Sequence, residues 1–280
     1  MRLMLWAMTA PIHLHSRTVL SVAGNDAPDF LQALITQNIA NAKDGALAAL
    51  LSPQGKILFD FFIFKRGDEF LIDVWHDGAP ALEKRLKMYK LRAKVDIVRR
   101  DDLKVIADLT GQPAGQPTGQ DAVACSPDPR SSALGMRSIV DTDALSDGGS
   151  EAAYHTARIG AGVPEFGADF GPEEVFLLDV NYDALHGVDY QKGCFIGQEV
   201  TSRMKRKAQA RKRSCILSAP GVTLEKGADI VAGASTLGTI MSSVPGSALG
   251  LVRIDRLEKA DGDVMVGEHR VTTKLPLYLS

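Results

Sequence analysis

Between Asp189 and Arg213 runs DYQKGCFIGQEVTSRMKRKAQARKR, the stretch of this 280-residue chain that crowds a thiol, amides, carboxylates and cations together. Its core is Lys192-Gly193-Cys194-Phe195-Ile196-Gly197-Gln198-Glu199. Glycines let a backbone turn tightly or approach a ligand closely, and loops of that kind carry function more often than packing. Cys194 follows a cation and precedes a strongly basic stretch, and positive potential favours the thiolate, a nucleophile and soft metal ligand. On pattern alone, a lone cysteine is better read as a small packed side chain. Arg203, Lys205, Arg206, Lys207, Arg211, Lys212 and Arg213 put seven positive charges into eleven residues. They suit a polyanion such as a polyglutamate tail, a phosphate or an RNA backbone, or equally a solvated hairpin. No aromatics interleave with them, which weakens the single-stranded RNA reading. Zinc-ligand spacings, a Walker A loop, a Gly-x-Ser-x-Gly elbow and a dinucleotide glycine fingerprint are all missing from the sequence.

The elements that must position this segment follow from length and pattern. Two or three domains are expected for 280 residues. A net charge of −2 argues against whole-protein attraction to nucleic acid. Three cysteines without a Cys-x-x-Cys pair argue against a disulfide framework and for a reducing compartment. No apolar run is long enough to cross a bilayer. Met1 to Met8 lacks the apolar core and cleavage site of a secretory signal and reads as a frayed leader or a first strand. A cytoplasmic protein without a membrane partner is the expectation.

Strands are expected at Thr18 to Val22, Ala46 to Leu51, Ile57 to Phe64, Phe70 to Trp75, Val95 to Val98 and Leu103 to Ala107. Ser52-Pro53-Gln54-Gly55-Lys56 supplies the turn of a hairpin. Asp26 caps a helix on which Phe30, Leu31, Leu34, Ile35 and Ile39 recur at helical spacing, and Asp77 opens a second helix to about Lys90. The order predicts an α+β sheet layer. Repeated Gly and Pro from Thr110 to Ser132, and the polar stretch from Asp141 to Ser150, read as surface loops or inserts. A helix resumes over Glu151 to Ile159. From Ser214 onward, short β-rich runs between glycine turns suggest a small antiparallel barrel or sandwich.

KGCFIGQE resembles the signature of the YgfZ-type folate-binding proteins, relatives of the glycine-cleavage T-protein (aminomethyltransferase). Phe30 to Asn38 resembles that family's N-terminal FLQxxxTxD segment, with Asn38 where Asp is usual. Gln54-Gly55-Lys56 resembles its Gly-Lys turn, Leu91 to Val95 its following strand entry, and Tyr154 to Ile159 with Gly162-Val163-Pro164 its aromatic-helix segment. The resemblance implies an α+β, aminomethyltransferase-like folate-binding fold in a three-part ring with a C-terminal antiparallel β-barrel. The corresponding parts are 1–108, an N-terminal α+β folate-binding part; 109–150, Gly/Pro/Ser-rich loops; 151–213, a central helical part with the KGCFIGQE loop; and 214–280, the barrel. It also implies a tetrahydrofolate-binding accessory role in iron–sulfur cluster assembly or repair, with assembly proteins or client iron–sulfur enzymes, including tRNA-modifying ones, as partners.

A reduced folate needs an aromatic face, a polar group for its pterin edge and cations for its glutamate tail. The resemblance places Tyr154 and Arg17 at folate-contact positions, although Arg17 stands where an aromatic can occur and is not its equivalent. Lys56 and Arg158 are further contacts, and Lys192, Gly193, Gln198 and Glu199 shape the thiol loop or touch the ligand. Aminomethyltransferases carry paired aspartates where this chain has Phe59-Asp60. Losing one carboxylate removes a group that catalysis uses, so glycine-cleavage activity is not expected, though Asp60 could still serve another reaction. Cys194 is expected to bind iron or a cluster transiently, or to react as a nucleophile. One cysteine cannot hold a cluster that ordinarily takes four protein ligands, so no stably bound metal is expected. The rival readings are a folate-dependent one-carbon transferase or demethylase, and an RNA-binding tRNA-modification factor.

Overall fold

The computed structural model describes residues 11–110, 122–144, 148–206 and 210–279. The Met1 to Met8 leader, the Gly/Pro run 111–121 and Lys207 lie outside the described residues.

Two antiparallel sheets and a closed barrel make up the molecule. The first sheet has five strands: β2 (Arg17–Ala23), β3 (Ala46–Leu51), β4 (Ile57–Arg66), β5 (Glu69–Trp75) and β6 (Asp96–Arg99), in the order β3-β4-β5-β2-β6. Apolar residues run through β3 and, apart from the buried Asp60, through β4 as far as Phe64, because both faces of these strands are buried. The second sheet contains β1 (Ile12–His13), β7 (Leu103–Asp108), β8 (Ala122–Pro127) and β9 (Met136–Asp141), in the order β1-β7-β9-β8. Helices α1 (Ala27–Leu34), α2 (Ala79–Lys90), α3 (Glu151–Gly160) and α4 (Gln198–Arg206) attach to these sheets.

Three local expectations change. The segment 109–150 is not only loop, since β8 and β9 complete the second sheet. Pro127 is tolerated because β8 is an edge strand, where a missing N–H breaks no ladder. Helix α1 stops at Leu34 rather than reaching Ile39: Ile35 is extended, and the Thr36 N–H bonds Ala49 O at 2.9 Å. Asp26 does not cap it; its carboxylate accepts the Lys94 N–H at 2.7 Å.

The C-terminal strands are β10 (Lys212–Ala219), β11 (Asp229–Ala232), β12 (Ser235–Val244), β13 (Gly246–Arg253), β14 (Val264–Val266) and β15 (His269–Lys274). Pairing of β10 with β15 closes them into a six-stranded antiparallel barrel. Its own core includes Leu217, Ile230, Leu237 and Val252. Cys215 also points into it, and burial pushes that thiol up to about 12. The barrel meets α3 through Ile159, which packs with Ile216, Met241 and Leu249.

Candidate functional site

The Cys194 loop hangs between two inward anchors. Lys192 is buried, and its Nζ donates to the carbonyls of Gln32 (2.7 Å), Ile35 (2.6 Å) and Gln37 (3.0 Å). Those carbonyls lie at and just beyond the C-terminus of α1, where helix carbonyls lack intrahelical partners and the dipole favours a cation. Burial pulls the Lys192 pKa down to about 8. Phe195 is the second anchor, buried with its ring 5.4 Å from the Lys192 ammonium. Gly193 and Cys194 between them are exposed. The Gln198 side chain reaches back to Gly193 O at 3.4 Å, and Asp189 accepts the N–H groups of Gln191 (2.8 Å) and Lys192 (3.3 Å). Gly197 has φ +79°, and a Cβ there would meet Ser52 O at 2.8 Å and Gly55 Cα at 3.1 Å. The signature loop therefore rests directly on the Ser52–Lys56 hairpin turn, and only glycine permits that approach.

The other residues of the segment play lesser parts. Glu199 is exposed in the first turn of α4, where a carboxylate complements the helix dipole. Arg213 pairs with Asp183 at 2.6 and 3.0 Å, so it belongs to the fold rather than to a free basic face. Lys56 is half-buried with its ammonium 5.8 Å from the Phe176 ring.

Tyr154, Arg17, Arg158 and Asp60 do not gather at the thiol. They belong to a buried ionic network that ties both sheets to α3. Asp73 of β5 accepts from Arg17 Nε at 2.7 Å and Arg137 Nε at 2.5 Å. Arg130 makes two bonds to Asp128, at 2.7 and 3.0 Å, and one to Glu165 at 2.9 Å. The Tyr154 hydroxyl accepts from Arg130 at 2.7 Å and Arg137 at 3.2 Å and donates to Glu165. Arg158 pairs with Asp169 at 2.5 Å. The Phe62 ring lies 4.0 Å from the Arg137 guanidinium carbon and 4.7 Å from that of Arg130. Burial would raise the Glu165 pKa, but Arg130, Arg17, Arg158 and Arg137 hold it well below the usual range. The same contest leaves Asp73 lowered, through Arg137 and Arg17.

Asp60 is the odd member. Arg17, Arg130, Arg137 and Arg158 face five buried acids: Asp60, Asp73, Asp128, Glu165 and Asp169. Asp60 accepts from the Tyr182 hydroxyl and from the Phe166 N–H at 3.3 Å, yet its nearest cation, Arg17, stands 3.9 Å away. Burial pushes its pKa up against the pull of Arg17 and the Tyr182 bond. Enclosed in this way, Asp60 is not presented to a substrate.

Two cavities open beside these features. One of about 690 Å³ lies between the Arg130–Ala133 turn, the C-terminal end of α3 and the barrel. Ala157, Ala161, Ile216 and Leu275 give it apolar walls, Tyr278 an aromatic ring, and Lys274 an exposed cation. Of the expected folate contacts none lines it; Arg130, which the sequence did not single out, does. Tyr154 bears on this cavity only by holding Arg130. The second cavity, about 530 Å³, runs alongside Asp189, Tyr190 and Gln191 at the foot of the thiol loop.

The class is now defined: an aminomethyltransferase T-like body with a closed C-terminal barrel. The chain superposes on aminomethyltransferase T of the glycine cleavage system from Bartonella henselae with a TM-score of 0.77, covering 99% of this chain and 88% of that one at 15% identity. Residues 211–279 match the family model described as CAF17, C-terminal beta-barrel domain. In sequence the chain is similar to the protein named iron-sulfur cluster assembly factor IBA57 homolog, mitochondrial, of Neurospora crassa, with 34% identity over 251 residues, 77% of this chain and 55% of that protein. It is likewise similar to the human iron-sulfur cluster assembly factor IBA57, mitochondrial, with 32% identity over 233 residues, 74% of this chain and 65% of that protein. The match thus spans between about half and two thirds of these relatives' own length. Both relatives are named mitochondrial, which overturns the expectation of a cytoplasmic protein.

Proposed function

We propose that this chain is an accessory factor for iron–sulfur cluster assembly or repair, of the YgfZ-related folate-binding kind, in which Cys194 lends one thiolate to a cluster in transit. The observation that carries this reading is the loop: two buried anchors, Lys192 and Phe195, hold an exposed thiol between them. A stable cluster site takes about four protein ligands. Among the described residues no group of three or more His, Cys, Asp or Glu side chains is placed to hold a metal. A lone, presented thiolate suits handover, with the other ligands coming from an assembly protein, a client enzyme or a small thiol. The names of the relatives support the same reading.

Tetrahydrofolate fits the cavity of about 690 Å³ rather than the Tyr154 network. The volume is in the usual range for small-molecule sites. The apolar walls and the Tyr278 ring suit a flat heterocycle, and Lys274 suits a tail carboxylate. Asp60, closed within its network, offers no support for a one-carbon transferase.

The test is rescue of an iron–sulfur enzyme in cells lacking this protein. Wild type restores its activity, while Cys194→Ser, shown to be folded by an unchanged melting temperature, does not. Full rescue by Cys194→Ser refutes the proposal. Titration of the purified chain with tetrahydrofolate tests the folate part separately: saturable binding is expected, and its absence removes folate.

A further inference from the structure

The solvent face of α2 and the Leu91–Val95 segment that follows it have no part in the thiol loop or the ionic network. The fully exposed residues of α2 are Pro80, Ala81, Lys84, Lys87 and Met88, with no acid among them. Met88 is 64% exposed, and Leu91, one turn further on, is 88% exposed. Neither lines either cavity. Leu91 ends the helix at φ +44° and ψ −105°, backbone that glycine enters readily and other residues enter at a cost. Glycine would close this helix with less strain. A leucine that strains the backbone and packs so little against the fold is explained by something outside the fold.

Cations surround the two apolar side chains. Residues 83–96 hold six of them, Lys84, Arg85, Lys87, Lys90, Arg92 and Lys94, against two acids, Glu83 and Asp96. Glu83 is taken by Lys87 at 2.6 Å and Asp96 by Lys90 at 3.8 Å. A third acid, Asp26, accepts the Lys94 N–H at 2.7 Å. Six cations against these three acids leave the patch a net charge of +3. Lys84, Arg92 and Lys94 are exposed and have no ion-pair partner among the described residues. We infer that this end of α2 docks on an anionic phospholipid surface, with Met88 and Leu91 entering the acyl boundary and Lys84, Arg92 and Lys94 meeting headgroup phosphates. Protruding apolar side chains ringed by cations are the pattern of interfacial attachment. A fluid bilayer closes around two isolated side chains, whereas a stable protein partner needs a wider, shaped contact. No described helix is long and apolar enough to cross a membrane; the attachment is peripheral. It departs from the expectation of a protein without a membrane partner, and it depends on neither Cys194 nor folate.

Sedimentation of the full chain with extruded vesicles tests this. Partition into phosphatidylcholine vesicles containing one third phosphatidylglycerol should exceed that into pure phosphatidylcholine at least tenfold, and should fall steeply in high salt. Leu91→Gly removes the apolar tip, keeps every charge and suits the backbone. It should lower partition at least fivefold with an equal or higher melting temperature, and Met88→Gln should lower it as well. Lys84→Ala combined with Arg92→Ala should weaken partition at least fivefold and flatten its salt dependence. Arg203→Ala combined with Arg206→Ala, in another exposed basic stretch, should bind as wild type does. Equal partition into the two vesicle types overturns the inference and leaves the patch to an acidic protein. Unchanged partition in Leu91→Gly and Met88→Gln, or a loss confined to the Arg203 and Arg206 variant, overturns it too.

Discussion

Replacing Lys192 by Met tests whether that side chain holds the thiol loop. The ammonium donates three bonds of 2.6–3.0 Å to carbonyls at the end of α1. Hydrogen bonds to charged groups contribute about 1.5–3 kcal/mol each, while desolvation of a buried ion costs several kcal/mol in the other direction. Met keeps the stem but leaves three carbonyls without their donor. The net loss should be about 2–4 kcal/mol. At about 2–4 °C per kcal/mol for a chain of this size, the melting temperature should fall by about 4–16 °C. Lys192→Arg should not restore it, since a planar fork does not match three carbonyls converging on one nitrogen. Hydrogen exchange at residues 193–197 should accelerate, reporting the freed loop. A Lys192→Met protein with unchanged melting temperature and loop protection would refute the anchoring role.

The raised pKa of Asp60 sets a pH dependence. Its contribution to stability is fully present below the ordinary carboxyl range and is lost as pH rises through the folded value. Wild type should therefore lose stability relative to Asp60→Asn by at most about 1.4 kcal/mol per pH unit above pH 4; parallel urea midpoints for the two proteins would contradict this. Tyr154→Phe deletes a hydroxyl shared by Arg130, Arg137 and Glu165 and should cost about 1–3 kcal/mol in urea unfolding. It should leave tetrahydrofolate affinity within about twofold, because the ring lies outside the cavity of about 690 Å³. Lys274→Ala should weaken tetrahydrofolate binding about tenfold, the worth of one charge-assisted contact, with little change in stability. Asp73→Asn leaves two buried guanidiniums short of a counter-charge and should destabilise by about 3–5 kcal/mol.

Local chemistry in the sequence located most of the secondary structure. The Ala46–Leu51 and Ile57–Arg66 hairpin follows from two apolar runs around a Ser-Pro-Gln-Gly-Lys turn, and the barrel from short β-rich runs between glycines. Strand β8 escaped because a Gly/Pro-rich composition marks loops, and such a rule does not see that an edge strand tolerates proline; β9, a short run between two loop-like stretches, was absorbed into them. The early end of α1 was not legible because Thr36 and Lys192 end it from afar, through Ala49 O and three main-chain carbonyls. The ionic network was hidden for the same reason. Asp73, Arg137 and Glu165 are far apart in the chain, and each reads alone as an ordinary surface charge. A cue lay in Pro127-Asp128-Pro129-Arg130, opposite charges two residues apart in a rigid turn. The thiol loop was legible as a motif, but not its separation from Tyr154, which depends on how both sheets enclose that ring.

The most direct measurement is Mössbauer spectroscopy of the chain loaded anaerobically with iron-57, sulfide and glutathione, for wild type and Cys194→Ser side by side. A presented thiolate predicts a cluster signal in wild type that Cys194→Ser loses while remaining folded. The same signal at the same occupancy in both proteins would contradict a role for Cys194 in holding the cluster.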